Sequence, residues 1–273
     1  MIKITEQPSQ YRNLEKMPVE EITANINNED ATVAIAIKKA LPQINQLIHA
    51  IVSKLKSGGR MFYVATGSGG RLSVLDVIEL PTTFGIEEGI FNVILAGGVD
   101  RLVDALEEME DNTEEGWRML QQENVSEKDI VVGIAASGST PFVLATLTEC
   151  RKRNVTTGCI VSNPGSPIAE QADFKIEVIT GPEILAGSTR MKCGTAQKMI
   201  LDMISTTVMI QLGRVEDNRM VYVKLENEKM VDRSVKMLME KGEISDYGKA
   251  REILLKYGSV KQALDYLRET ELS

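Results

Sequence analysis

The spacing of apolar and polar positions divides the chain into strand-like and helix-like segments. Five short runs are apolar at almost every position, as in strands that are buried on both faces of a sheet. These runs cover residues 61–66, 91–96, 129–137, 157–163 and 174–180. Helix-like spacing lies between most of them, at 71–80, 101–122 and 141–153. Strands that alternate with helices predict an α/β domain with a parallel sheet.

Another helix is predicted before the first strand. Apolar residues recur at helical spacing over 33–55, interrupted by Pro42, and two glycines follow at 58–59. Glycines directly after an apolar stripe are typical of a helix C-terminus. Residues 1–30, in contrast, are polar and without a regular period, so we expect an irregular arm there.

The composition changes towards the end of the chain. A long apolar helix is predicted over 194–213, and the sequence after it is rich in lysine and glutamate. Two or three short helical patterns there predict a small bundle, separate from the α/β domain. The predicted division of the chain is an N-terminal arm and helix at 1–52, the α/β domain at 53–215 and the bundle at 226–273.

Charge and composition limit the class of ligand. The 273 residues carry a net charge of −8 and only 4% aromatic side chains, which argues against a nucleic-acid or anionic membrane partner. A small anion is still compatible with this charge, because a few backbone N–H groups can hold it. Three cysteines without metal-site spacing, and no apolar leader, predict a reduced, cytoplasmic protein.

Acid–base chemistry must rely on residues other than histidine. The single histidine, His49, lies in an apolar helical stretch and is more typical of a packed helix residue. Triads and most metal sites that depend on histidine are therefore excluded. Glutamate, aspartate, lysine or tyrosine remain as proton donors and acceptors.

The first strand is followed by a small, flexible loop. Residues 67–70 read Gly-Ser-Gly-Gly and stand between a strand and a helix. The dinucleotide fingerprint fails because Leu72 occupies the position of its last glycine, and no phosphate-binding P-loop sequence is present. A tight strand–helix turn without a ligand is one interpretation, and one wall of a pocket is the other.

A second loop strengthens the pocket interpretation. Ser137, Ser139 and Thr140 place three hydroxyl groups beside a predicted helix N-terminus, more than capping needs. A third strand end carries Ser162 and Asn163. Loops at the carboxyl ends of parallel strands converge on one edge of the sheet. Together they predict a site for a small phosphorylated ligand.

The segment 181–199 combines a turn with two cations. Ser188, Arg190 and Lys192 directly precede the long helix. Cations at a helix N-terminus oppose the helix dipole, so they suggest a second role. That role is either to pair with a carboxylate or to bind an anionic ligand; solvated cations at a capped helix start are the alternative.

Two carboxylate positions could supply acid–base chemistry. Glu79 is the last charged residue of the helix after the first loop, and Pro81 is expected to end that helix. Glu107, Glu108 and Glu110 form an acidic run, which alone is more typical of a solvated helix face. An elimination or isomerisation beside a carbonyl needs one carboxylate as base and one carboxyl group as acid.

The motifs taken together resemble those of N-acetylmuramic acid 6-phosphate etherases, within the sugar isomerase (SIS) group. The resemblance runs from about residue 4 to the end. The strings that carry it include "GGRMFYVATGSGGRLSVLDVIELPTTFG", "VVGIAASGSTPFV", "SNPGSPIAEQAD" and, most specifically, "GPEILAGSTRMKCGTAQKMILDMIST". It implies a flavodoxin-like SIS domain, with a five-stranded parallel sheet in a three-layer α/β/α sandwich and a small C-terminal helical bundle. It also implies a homodimer without metal or organic cofactor.

The resemblance implies a reaction and residue roles. These etherases cleave the D-lactyl ether of N-acetylmuramic acid 6-phosphate to N-acetylglucosamine 6-phosphate and D-lactate, by elimination and hydration. Glu79 matches the acid of the family motif and Glu110 matches the base. The residues expected to bind substrate are Ser68, Gly69, Ser137, Ser139, Thr140, Ser188, Arg190 and Lys192.

Two other functions remain open on the sequence. Gly69 stands where the family usually has a hydroxyl residue, which would suit a sugar-phosphate-binding regulator resembling glucokinase regulatory protein. An aldose–ketose isomerase would use the same proton chemistry at C2. The lone His49 makes it the weaker of the two, since ring opening in such enzymes often uses histidine.

Overall fold

A five-stranded parallel sheet forms the centre of the α/β part of the chain. The computed structural model describes residues 3–104 and 107–271. The strands of the sheet are β1 (Met61–Ala65), β2 (Phe91–Leu95), β3 (Ile130–Ile134), β4 (Thr156–Val161) and β5 (Phe174–Glu177). They are hydrogen-bonded in the order β2-β1-β3-β4-β5, and every pair is parallel. The predicted parallel sheet is thus confirmed, in the doubly wound order of flavodoxin.

The chain forms two compact units. The first unit comprises the described residues up to Val77 and from Gly89 to Ser205, and the second comprises 78–88 and the residues after Ser205. Helices α3 and α7 have residues in both units. The helices are α1 (Val19–Asp30), α2 (Val33–Lys56), α3 (Gly67–Phe84), α4 (Glu115–Gln122), α5 (Pro141–Lys152), α6 (Pro167–Glu170) and α7 (Lys192–Gln211). Short 3₁₀ helices cover Ile4–Glu6, Leu14–Lys16, Val99–Arg101 and Glu107–Asp111.

Two glycines show that helices cover both faces of the sheet. A Cβ on Gly133 would lie 2.6 Å from Val143 of α5, and one on Gly158 would lie 2.6 Å from Leu47 of α2. Gly158 is paired in register with Val132, so Gly133 and Gly158 point to opposite faces. The first unit is therefore a three-layer α/β/α sandwich, as expected.

Two predictions about helices were wrong, for different reasons. Residues 19–30 form α1, which begins after Pro18 and has Glu20 and Glu21 in its first turn, where acidic groups favour the helix dipole. Pro42 does not interrupt α2. That proline is exposed, while the apolar residues of α2 are buried along its length, and their burial outweighs one missing backbone hydrogen bond.

Pro81 was expected to end its helix, but α3 continues to Phe84. The predicted helix over 101–122 exists only from residue 115. The Asn112 side-chain oxygen accepts hydrogen bonds from the backbone N–H groups of Glu114 and Glu115, at 3.1 and 3.0 Å, and starts a new helix there. The acidic run before it forms a 3₁₀ helix.

The second unit contains the predicted small helical bundle. Besides the ends of α3 and α7, this unit has the short antiparallel strands β6 (Val215–Glu216) and β7 (Arg219–Met220), followed by α8 (Glu228–Lys241), α9 (Tyr247–Tyr257) and α10 (Val260–Glu271). Val235, Leu238, Leu254 and Leu264 are buried between the helices. The domain boundaries proposed from the sequence remain a prediction. In 3–104 and 107–271, no helix is long and apolar enough to span a bilayer.

Asp129 fastens the start of β3 to the start of β1. Its carboxylate accepts hydrogen bonds from the backbone N–H groups of Arg60 and Ser126, both at 2.8 Å, and forms an ion pair with the Arg60 guanidinium at 3.1 Å. Burial opposes ionisation of Asp129, but these hydrogen bonds outweigh it and hold its pKa below the ordinary value.

We expect Asp129→Asn to lower the free energy of unfolding by about 2 kcal/mol, because an amide leaves donors of Arg60 and Ser126 without an acceptor. Since the folded-state pKa is depressed, the contribution is present above the unfolded pKa and is lost as pH falls through the folded pKa. Urea unfolding at pH 7 and at pH 3 measures both effects. Asp111→Asn, at an exposed position, is the matched control; equal stability of both variants at pH 7 would contradict the prediction.

Candidate functional site

A polar cavity of the first unit lies at the carboxyl edge of the sheet. It has a volume of about 390 Å³. Ala65, the last residue of β1, is level in register with Leu95 and Ile134, the last residues of β2 and β3. The loops that follow these three strands therefore begin at the same height and form the cavity walls. The loop before α7 forms a further wall, through residues 187–190.

Most of the predicted site residues of the first unit line this cavity. They are Ser68, Gly69, Glu110, Ser137, Thr140, Ser188 and Arg190. Ser139 and Lys192 have other partners, given below. Glu79 lies on α3 in the second unit, where it is exposed. The fold thus brings seven of the ten predicted site residues to one cavity, although they are up to 122 residues apart in the sequence, from Ser68 to Arg190.

The loop after β3 carries Ser137, Ser139 and Thr140, and we call it the hydroxyl loop. It forms a compact turn. The Ser137 hydroxyl accepts a hydrogen bond from the Ser139 backbone N–H at 3.2 Å and lies 3.4 Å from the Thr140 hydroxyl. The Ser139 hydroxyl instead accepts a hydrogen bond from the Lys3 ammonium at 2.8 Å. Ser137 and Thr140 consequently face the cavity, while Ser139 anchors the N-terminal arm.

A second contact holds the same arm in place. The Asn163 amide donates to the Thr5 hydroxyl at 2.9 Å, and the Asn163 oxygen accepts from the Thr5 backbone N–H at 3.3 Å. The next residue, Glu6, lines the cavity. The arm that the sequence left irregular therefore contributes a carboxylate to the site.

Glu110 is placed against the first turn of α3. Its carboxylate oxygen lies 3.1 Å from the position that a Cβ of Gly67 would occupy. Gly67 also has a φ of +51°, a conformation that glycine adopts without steric cost. A side chain at Gly67 would be strained and would crowd Glu110, so the glycine allows the carboxylate to approach the loop.

Three arginines line the cavity, and two are engaged by their own surroundings. Arg71 donates to the backbone oxygens of Leu102 and Asp104, at 3.0 and 2.5 Å. Arg101 pairs with the Asp104 carboxylate at 2.9 Å. Arg190 is exposed, and its guanidinium has no ion pair or hydrogen bond within the described part of the chain. Of these three cations, Arg190 is the one available to a ligand.

Lys192, one of the two cations at the start of α7, pairs with a carboxylate of the protein. Its ammonium forms an ion pair with the Glu29 carboxylate, and both side chains are largely buried. Burial opposes ionisation of Glu29, but Lys192 and hydrogen bonds from Tyr11 and Gln10 lower its pKa. The buried Glu183 carboxylate caps α7 by accepting from the backbone N–H groups of Lys192 and Cys193, each at 2.9 Å.

Sequence reasoning missed several cavity residues. They are Glu6, Thr66, Arg71, Arg101 and Gln197. Thr66 and Gln197 are part of apolar strand-like and helix-like strings, where a single polar residue carries no signal by itself. No group of three metal-ligating side chains occurs among the described residues.

We expect Lys192→Met to act on stability, because it leaves the Glu29 carboxylate unpaired at a largely buried position. The expected loss is about 3 kcal/mol in urea unfolding, with less than a threefold change in affinity for a sugar phosphate. Lys152→Met, which removes an exposed pair with Glu149, should leave the stability almost unchanged. A tenfold loss of affinity with unchanged stability would instead assign Lys192 to the ligand.

Comparison with known proteins identifies the family. The glucokinase regulatory protein N-terminal SIS domain profile matches residues 43–151, and the SIS domain profile matches residues 104–206. Among solved structures, a phosphoheptose isomerase from Francisella tularensis is similar, with a TM-score of 0.53 and 17% identity over 73% of this chain and 100% of that chain. The phosphoheptose isomerase of Neisseria gonorrhoeae has a TM-score of 0.51 and 13% identity, over 69% of this chain and 97% of that one. These two likenesses show the fold.

Curated relatives are much closer in sequence. The N-acetylmuramic acid 6-phosphate etherase of Bacteroides fragilis is 52% identical over 97% of this chain and 94% of its own length. The etherase of Porphyromonas gingivalis is 50% identical over 98% and 97% of the two chains, and that of a Geobacillus species is 44% identical over 93% and 86%. The chain belongs to the N-acetylmuramic acid 6-phosphate etherase family.

Proposed function

We propose that this protein is a carbon–oxygen lyase that cleaves the D-lactyl ether of N-acetylmuramic acid 6-phosphate. The products are N-acetylglucosamine 6-phosphate and D-lactate, and the process belongs to amino-sugar catabolism and cell-wall recycling. The observation that carries the proposal is Glu110, held beside the first turn of α3 in a cavity with two hydroxyl-bearing loops. Membership of the etherase family favours this function over a regulator or an isomerase.

The 6-phosphate is proposed to bind at the hydroxyl-bearing loops. Ser137 and Thr140 present hydroxyl groups to the cavity at the start of α5, and Ser68 does so at the start of α3. Helix N-termini favour anions because their first N–H groups are unpaired and the helix dipole is positive there. The phosphate therefore needs no excess of positive charge in the protein as a whole.

Glu110 is proposed as the base. In the open-chain sugar, the C1 aldehyde acidifies the C2 proton, and the Glu110 carboxylate removes it. The electron pair then forms the C2–C3 double bond as the C3–oxygen bond to lactate breaks. An acid, assigned by the family motif to Glu79, protonates the departing oxygen. Water adds at C3 and restores a hydroxyl group, so that one water is consumed for each ether cleaved.

Arg190 is proposed to bind the lactyl carboxylate. Its guanidinium is the uncompensated one among the three that line the cavity, and a guanidinium fork matches the two oxygens of a carboxylate. The hydroxyl-bearing loops serve the phosphate, so the two anionic ends of the substrate would have separate binding groups. This arrangement fixes the ether bond between them.

The protein is further proposed to be a cytoplasmic homodimer. The family resemblance implies the dimer, and large apolar side chains such as Ile35 and Leu185 are exposed on the first unit. Light scattering of the purified protein measures the subunit number; a monomer at micromolar concentration would reject the dimer.

The state of two cysteines supports the proposed compartment. Burial raises the pKa of the Cys150 and Cys159 thiols to about 12, and both thiols are unpaired, which suits a reducing compartment.

We expect purified protein to release D-lactate from N-acetylmuramic acid 6-phosphate, and Glu110→Gln to lower kcat by at least 100-fold, because an amide cannot accept the C2 proton. Glu79→Gln should lower lactate release while C2-proton exchange with solvent persists. Coupled lactate detection and NMR in D₂O measure the two steps. Glu108→Gln and Glu87→Gln, both exposed, are the controls; full activity in either test variant would disprove its assigned role.

We expect Arg190→Gln to raise KM for the substrate about tenfold or more with kcat within threefold, because one charge-assisted contact is lost. Inhibition by N-acetylglucosamine 6-phosphate should not change, since that product has the phosphate and lacks the lactyl carboxylate. Arg118→Gln, on an exposed face of α4, is the control. A parallel loss of inhibition by the product would assign Arg190 to the phosphate instead.

A further inference from the structure

Two polar side chains of the cavity have no hydrogen-bond partner among the described residues. Gln197 is 3% exposed and Thr66 is 8% exposed, and both line the cavity. Within the described residues, neither the Gln197 amide nor the Thr66 hydroxyl makes a hydrogen bond. Among the described residues, the side-chain polar atoms that are fully buried without a partner belong to other residues, so the polar atoms of Gln197 and Thr66 are open to the cavity. Two accessible polar groups on largely buried residues, both facing one cavity, are suited to bind a ligand atom there.

Their position relates them to the proposed base. The Gln197 amide oxygen lies 3.3 Å from the point that a Cβ of Gly69 would occupy, and the Glu110 oxygen lies 3.1 Å from the equivalent point of Gly67. Both side chains thus approach the first turn of α3, two residues apart. Thr66 directly precedes that turn.

We propose that Gln197, supported by Thr66, binds the C1 carbonyl oxygen of the open-chain sugar and stabilises the negative charge that forms there. The inference rests on the proposed role of Glu110 as base. As Glu110 takes the C2 proton, the C2–H electron pair forms a C1–C2 double bond and charge moves onto the C1 oxygen. When the lactate oxygen leaves C3, the charge returns to re-form the carbonyl and the C2–C3 double bond.

The chemistry of this part of the cavity suits a neutral donor. Arg71 and Arg101 are engaged by backbone and carboxylate oxygens, and Arg190 is exposed. A side-chain amide held in a buried position meets developing charge without reorganisation, and loss of one such donor typically costs about 100-fold or more in rate. The first backbone N–H groups of α3 lie beside it and favour the same charge.

The test compares proton exchange with bond cleavage in Gln197→Met, Gln197→Glu and Thr66→Val. We expect Gln197→Met to lower both kcat for lactate release and the rate of C2-proton exchange in D₂O by about 100-fold, with KM within threefold. Gln197→Glu should lower both further, because a carboxylate repels the forming charge. Thr66→Val should give a smaller loss of the same kind. Gln121→Met, on the exposed face of α4, should match the wild type.

Several outcomes would overturn the inference. A raised KM with unchanged kcat in Gln197→Met would mean that the amide binds a hydroxyl group in the ground state. Normal C2-proton exchange in that variant, with exchange abolished in Glu110→Gln, would reject the inference and leave the base in place. If the wild type exchanged the C2 proton but released no lactate, the etherase function would be rejected. The rate of C2-proton exchange in Gln197→Met would then still decide the role of Gln197. If Gln197→Met fails to fold, as judged by its Tm, Gln197→Glu and Thr66→Val decide by the same split between kcat and KM.

Discussion

The shared register of three strand ends is the constraint on which the site depends. Because β1, β2 and β3 are parallel and end at the same level, at Ala65, Leu95 and Ile134, their loops open onto one edge of the sheet. Backbone hydrogen bonds fix this register, and a slip by one residue would turn every buried side chain to the opposite face. The same bonds that build the core therefore set the distance between the first loop and the hydroxyl loop.

Contacts with carboxylates and backbone oxygens of the protein determine which cations remain for a ligand. Glu29 engages Lys192, and Glu183 caps the start of α7, so the dipole and the nearest lysine of that helix are satisfied internally. Arg71 and Arg101 hold the loop after β2. These pairings explain how a chain with a net charge of −8 can serve an anionic substrate. In the proposed mode of binding, the anion meets hydroxyl groups, helix N-termini and the Arg190 guanidinium instead of a basic surface.

The sequence predicted the sheet and much of the cavity for a physical reason. Runs such as 61–65 and 130–134 are almost entirely apolar, as strands that are buried on both faces require. Loop residues at strand ends, such as Ser137 and Arg190, follow from the topology. The failures have equally physical causes. Asn112 starts a helix within an acidic run that reads as continuous, and Glu6 reaches the cavity only through long-range contacts of Thr5. No local pattern encodes such contacts.

Gln197 shows why the interior of a site is the part least visible in sequence. In the string "GTAQKMILDM" it looks like one polar position on an amphipathic helix, and nothing distinguishes it from a solvated one. Only the fold reveals that it is buried and without a partner in the described chain. The amide is open to the cavity, so water can satisfy it in the free protein. A ligand oxygen that replaces this water is bound most strongly when it carries negative charge, since hydrogen bonds to charged groups are the stronger ones. A neutral donor held on a largely buried residue would therefore favour the charged state proposed for the reaction.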